Sequence, residues 1–217
     1  SYITSRINHD PRIMIASSVE SKYFTPSIRI GGDADLCGCM AADLAGGFAN
    51  YDENIAVITT FESKYTFVKR FSGFCRVIKK EYPKVNLIPS ICKYTNIDEA
   101  VDEILPFVEN NEISVIHTTD INGTIGSIRV LRKLENKNIQ LIGYDLCEES
   151  AQALSDGYCK ALLYHDVLKY GAASVEFLAR KILSQDEENS PNEYIVYPEI
   201  VMKYNVDHLL HEMDGLS

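Results

Sequence analysis

Continuous apolar runs alternate with amphipathic stretches along most of the chain. PRIMIASSV (11–19) and SIRIGG (27–32) are β-branched, apolar and bounded by Pro or Gly, which predicts two short strands. In DADLCGCMAADLAGGF, Asp33 or Asp35 can cap a helix. Leu36, Met40 and Leu44 then recur at helical spacing until Gly46-Gly47 ends the run. IAVITT (55–60) is apolar throughout, the pattern of a strand in a sheet covered on both faces. A helix over Tyr65 to Glu81 follows, with Phe67, Val68, Phe71, Phe74, Val77 and Ile78 as its apolar positions.

The unit then repeats. Strands are expected at 85–90, 113–119, 139–145 and 159–165, and helices at 97–110, 123–135, 148–155 and 167–183. After the acidic loop SQDEENSPNE (184–193), YIVYPEIVMKY (194–204) reads as a closing strand, and 205–217 as a charged tail without a pattern. No internal repeat stands out.

Strand–helix alternation at this spacing predicts an α/β architecture of parallel sheets with right-handed crossovers. In such sheets ligands sit beyond the carboxyl ends of the strands. That rule singles out Asp33, the segment after IAVITT, Thr119-Asp120 and Asp145. Each also has a structural reading: Asp33 and Asp120 as helix caps, Asp145 as a buried acid bonded to backbone amides. Arg70, with Lys64 and Lys69 nearby, reads by itself as a solvated charge.

Composition narrows the function. Lys and Arg total 21 against 31 Asp and Glu, a net charge of -10, so this chain is a poor holder of a phosphate backbone. No apolar run reaches the roughly 18 residues of a membrane span, and SYITSRINHD lacks the apolar stretch of a secretory leader. Of the six cysteines, only Cys37 and Cys39 are close, without the second pair of a zinc site. Free, mostly buried thiols in a reducing, cytoplasmic compartment are expected. G-x-S-x-G, G-x-x-x-x-G-K-[ST] and H-E-x-x-H motifs are lacking, and His165-Asp166 are strand neighbours that point to opposite faces. No enzymatic activity, cofactor or metal is expected.

Three acids and one arginine suit a polyol, because carboxylates accept hydroxyl hydrogens and a guanidinium donates to ring or hydroxyl oxygens. Tyr144, Phe61 or Tyr164 could cover the apolar face of a sugar ring. A cation or an amine would suit the same acids.

These segments bring a family into view. IGGDADLCGCMAADL, IAVITT with KRFSGF, TTDINGTIGSIRVL, LIGYDLCEESAQAL and LLYHDVLKYGAASVEFL, in this order, resemble the effector-binding part of LacI-family transcription regulators. The resemblance spans about residues 11 to 204. It implies a two-lobed, type I periplasmic-binding-protein-like fold. Residues 1–52 with 165–193 would form the N-terminal lobe, 53–164 with 194–204 the C-terminal lobe, and 205–217 a tail.

The resemblance further implies that Asp33, Arg70, Asp120 and Asp145 contact a sugar or related small effector in the inter-lobe cleft, with His165 where the family often has Gln. Asp120 replaces the usual Asn and Ile121 the following Asp. The DNA-binding headpiece and the first βα units of the N-terminal lobe are expected to be missing. A homodimer meeting operator DNA through that headpiece is implied. The alternative is a periplasmic or chemosensory sugar-binding protein of the same fold.

Overall fold

The structure, a computed structural model, describes residues 14–17, 25–50, 52–60, 65–183 and 193–214. Parts of the first expected strand, the loop from 184 to 192, Phe61 and Lys64 lie outside the described residues. The chain divides into two compact units. One runs to Asp33 and resumes over His165–Pro198; the other holds Ala34–Tyr164 and resumes at Glu199.

In the first unit, β1 (Ala16–Ser17), β2 (Ile28–Gly31) and β8 (Glu193–Ile195) form a parallel sheet in the order β1-β2-β8. Helix α6 (Val167–Leu183) packs on it, burying Ala173 with Ile28, Ile30 and Val196. Asp166 starts the helix by accepting the amides of Leu168 (2.9 Å) and Lys169 (3.2 Å). It is therefore a capping residue.

The second unit contains α1 (Ala34–Phe48), β3 (Asn54–Thr60), α2 (Tyr65–Glu81), β4 (Asn86–Cys92), α3 (Ile97–Glu109) and β5 (Val115–Thr118). It continues through α4 (Ile121–Lys133), β6 (Gln140–Tyr144), α5 (Glu148–Asp156) and β7 (Ala161–Tyr164), and ends with β9 (Glu199–Val201) and α7 (Val206–Asp214). The sheet order is β4-β3-β5-β6-β7-β9. All pairings are parallel except β7 with β9.

Both faces of this sheet are covered, which explains the unbroken apolar run of β3. Ala56 and Ile58 enter the core shared with α3, α4 and α5, while Ile55 and Val57 enter the core shared with α1 and α2. Because α2 and α3 lie on opposite faces, the winding reverses between β3 and β5. Their carboxyl ends open the crevice where such sheets take ligands.

Three expectations shift. Residues 34–52 fall in the second unit, because α1 buries Cys37, Ala41, Ala42 and Ala45 against Phe74, Ile78 and β3. The expected strand over 194–204 divides into β8 and β9, each in a different sheet. Val196 still donates to Gly31 O (2.9 Å), but Pro198 has no N–H to extend a ladder. The expected tail forms α7, whose Val206 and Leu209 enter the larger core.

Helices α1 and α2 meet backbone to backbone through a glycine on each. A Cβ at Gly38 would collide with the Arg70 carbonyl, and one at Gly73 with the Asp35 carbonyl. Alanine inside a helix ordinarily gains about 0.5–1 kcal/mol over glycine. Gly47→Ala, with nothing within 4 Å of the new Cβ, is expected to show that gain in urea unfolding. Gly38→Ala should instead lose about 1–3 kcal/mol, as overpacking does.

Candidate functional site

Arg70, Asp120 and Asp145 come together at the carboxyl ends of β3, β5 and β6. Arg70 is 8% exposed and belongs to the wall of the second unit, not to its solvated surface. Its Nη1 donates to Thr119 O (2.8 Å) and its Cζ lies 3.8 Å from the centroid of the Tyr144 ring. Its Nε has no partner among the described residues. Thr119 is anchored in turn, donating its amide to Ile58 O (3.1 Å) and its hydroxyl to Thr59 Oγ1 (2.8 Å).

Asp120 is 4% exposed and caps α4: Oδ1 accepts from the Gly123 amide (3.0 Å). Oδ2 accepts from the Tyr94 hydroxyl (2.7 Å). Both oxygens thus hold the fold at this strand end. A Cβ at Gly123 would lie 2.5 Å from that hydroxyl, so glycine is what lets Tyr94 reach the acid. Burial, then the charge of Asp120, keeps the Tyr94 phenol far above its ordinary range. Removing this donor strands a buried charged oxygen, which costs about 1–3 kcal/mol or more. Tyr94→Phe is accordingly expected to lower the unfolding midpoint, with α4 amides near Gly123 exchanging faster in hydrogen exchange.

Asp145 differs. It is half-buried, and its carboxylate makes no hydrogen bond among the described residues. Its backbone is fixed in the left-handed region (φ 67), with its amide on Leu163 O (3.0 Å) and its carbonyl accepting from Ser150 Oγ (3.2 Å). Burial raises its acid above the ordinary aspartate value; Arg70 opposes the shift and Asp120 adds to it. A carboxylate held in place, desolvated and lacking a donor is prepared to accept hydrogen bonds from a ligand.

Asp33 and His165 belong to the first unit. Asp33 is half-buried just beyond β2. His165 is 8% exposed, its ring 6.1 Å from that of Tyr170, and a Cβ at Gly32 would collide with it. Of the aromatics expected to cover a sugar, Tyr144 lies fully buried beneath Arg70 and Tyr164 is buried in the larger core. Neither presents an open face.

Sequence reasoning named Thr119 only as a strand-end neighbour of Asp120, and did not single out Tyr94 or the hydroxyl contact between Thr119 and Thr59. The available signal was TTD itself, since consecutive threonines before a capping acid supply short hydroxyls at a strand end. All six thiols are free, with Cys37, Cys92 and Cys159 buried and the other three partly so. No helix among the described residues is long and apolar enough to cross a membrane.

The model of the family described as the periplasmic binding protein domain matches residues 25–186. Solved structures with a similar fold include GanP, a glucose-galactose binding protein from Geobacillus stearothermophilus. It is 16% identical, with a TM-score of 0.79 over 92% of this chain and 72% of that one. AraP, an arabinose binding protein from the same organism, is 19% identical, with a TM-score of 0.78 over 90% and 70%. A proposed LacI transcriptional regulator from Bacteroides fragilis is 19% identical, with a TM-score of 0.81 over 96% and 73%. No curated protein matches the chain in sequence.

Proposed function

We propose that this chain, which belongs to the periplasmic binding protein domain family, is the ligand-sensing domain of a LacI-like transcription regulator that binds a sugar or related polyol. The observation that carries the reading is the Asp145 carboxylate, partly desolvated and without a hydrogen-bond donor among the described residues, beside the buried guanidinium of Arg70. Asp145 accepts a pair of ligand hydroxyls and Arg70 donates to an oxygen, while Asp120 contributes charge and fixes the strand end. Asp33 and His165 are the remaining proposed contacts.

Two acids against one arginine leave a net negative site, so neutral polyols fit better than sugar phosphates. The sugar-binding proteins of similar fold support the ligand class. Six free thiols suit a reducing compartment and hence a cytoplasmic regulator. A homodimer would meet operator DNA through a headpiece outside residues 1–217, since an acidic chain is itself unsuited to DNA. The runner-up, a transport or chemosensory binding protein, draws on the same sugar-binding relatives.

A thermal-shift screen of neutral monosaccharides, polyols and sugar phosphates tests the ligand class. A ligand at a hundred times its Kd stabilises the folded state by about 2.7 kcal/mol. The expected result is an upward shift with a neutral sugar or polyol. Shifts with sugar phosphates alone would overturn the reading. A change in operator binding on adding that ligand, in either direction, measured on the full-length protein, separates a regulator from a transport protein.

A further inference from the structure

Arg70 rests on a stack of flat groups between α2 and the sheet. Arg70 and Phe74 are one helical turn apart and share a face of α2. The guanidinium lies 3.8 Å from the Tyr144 ring centroid. One turn further, the Phe74 ring stacks on His117 at 4.3 Å, with 13° between the planes. The His117 and Tyr144 rings are 5.7 Å apart, so the two pairs adjoin. Phe74, His117 and Tyr144 are all 0% exposed.

Two features point to the flat faces, rather than the Tyr144 hydroxyl or His117 Nε2, as what this stack offers the arginine. The Tyr144 hydroxyl and His117 Nε2 have no partner among the described residues. A buried polar atom left unpaired weakens a fold, so neither atom explains its residue by bonding. His117 is also neutral: burial pushes its imidazole down to about 3, and its Nδ1 lies 3.3 Å from Ile142 O, which places the proton there. A neutral ring adds no charge beneath the arginine. What a planar guanidinium gains from a ring face is attraction and a set orientation.

We propose that Tyr144, backed by the Phe74–His117 pair, is a positioning residue that sets where the Arg70 guanidinium stands relative to Asp145. The proposal rests on the reading of Arg70 and Asp145 as ligand-binding groups. The Asp145 carboxyl reports the geometry directly, since Arg70 is the cation that favours its ionised form.

The test follows the Asp145 carboxyl by carbon-13 NMR during a pH titration of the ligand-free protein, in the wild type, Tyr144→Phe, Tyr144→Met and Phe74→Leu. Tyr144→Phe keeps the ring and should leave the titration midpoint and ligand affinity unchanged. Tyr144→Met fills the space without a flat face. Its Asp145 midpoint should move upward, and sugar affinity should fall by about tenfold or more. Phe74→Leu, which leaves Tyr144 in place, should move the midpoint the same way by less. It also serves as the probe if Tyr144→Met does not fold. A lowered melting temperature with an unmoved Asp145 titration in these variants would make the stack merely structural and overturn the proposal. Because this readout needs no ligand, a failed sugar screen would count against the functional reading alone.

Discussion

Asp145→Asn should abolish ligand binding and, at the same time, make the ligand-free protein more stable. The two effects share one cause. The carboxylate sits half-buried without a hydrogen-bond donor among the described residues, and burial raises its acid above the ordinary value. A charge in that position is a burden to the empty fold and an asset only when ligand hydroxyls arrive. Asparagine has nearly the same shape and tolerates the left-handed backbone at φ 67. It therefore removes the charge with little strain.

Losing charge-assisted hydrogen bonds worth about 1.5–3 kcal/mol each should lower affinity by about a hundredfold or more. Each kcal/mol of relieved desolvation should raise the melting temperature by about 2–4 °C in a chain of this size.

The pH dependence follows from the sign of the shift. An aspartate whose acid is raised in the folded state contributes stability that is fully present below its unfolded value, near 3.8. That contribution is lost as pH rises through the higher folded value. The stability advantage of Asp145→Asn should therefore be small in acid and grow through this window. Ligand affinity of the wild type should fall over the same window as the pH is lowered. Scanning calorimetry across pH and titration calorimetry with the identified sugar check both. Equal stability of wild type and variant at neutral pH would remove the argument that Asp145 is kept for binding.

Arg70→Ala should also abolish binding, but with the opposite effect on the fold. The side chain donates to Thr119 O, stacks on Tyr144 and favours the ionised form of Asp145. Its removal leaves the Thr119 carbonyl short of a donor and Asp145 without its cation. A loss of about 1–3 kcal/mol is expected in urea unfolding, the scale set by a buried acceptor left unpaired. The Asp145 acid should rise further. Two variants that agree on binding and disagree on stability would separate a residue retained for the ligand from one that serves both purposes. Arg70→Ala binding sugar with wild-type affinity in titration calorimetry would remove Arg70 from the site.

Much of the architecture was legible because it depends on local periodicity. Helices α2 and α6 begin and end where their apolar spacing places them, and β3 reads as doubly covered from its unbroken apolar run. Misreadings arose where the deciding contact was distant. The single apolar turn of Val206, Leu209 and Leu210 looks like part of a charged tail until a core receives it. Residues 194–204 look like one strand until two sheets claim its halves.

The acids and the arginine followed the same division. Chain position alone put Asp120 and Asp145 at strand ends, because the alternation of elements locates those ends. It could not say that Asp120 is held by Tyr94 while Asp145 is left without a donor, since that depends on which side chains the fold brings to each oxygen. Nor could it bury Arg70. Flanked by Lys64 and Lys69, it carries every local mark of a solvated charge. Its burial requires Tyr144 and Thr119, brought beneath α2 by the adjacency of β3, β5 and β6. Periodicity is a property of neighbours in sequence; desolvation and pairing are properties of neighbours in space, and only the packed sheet decides those.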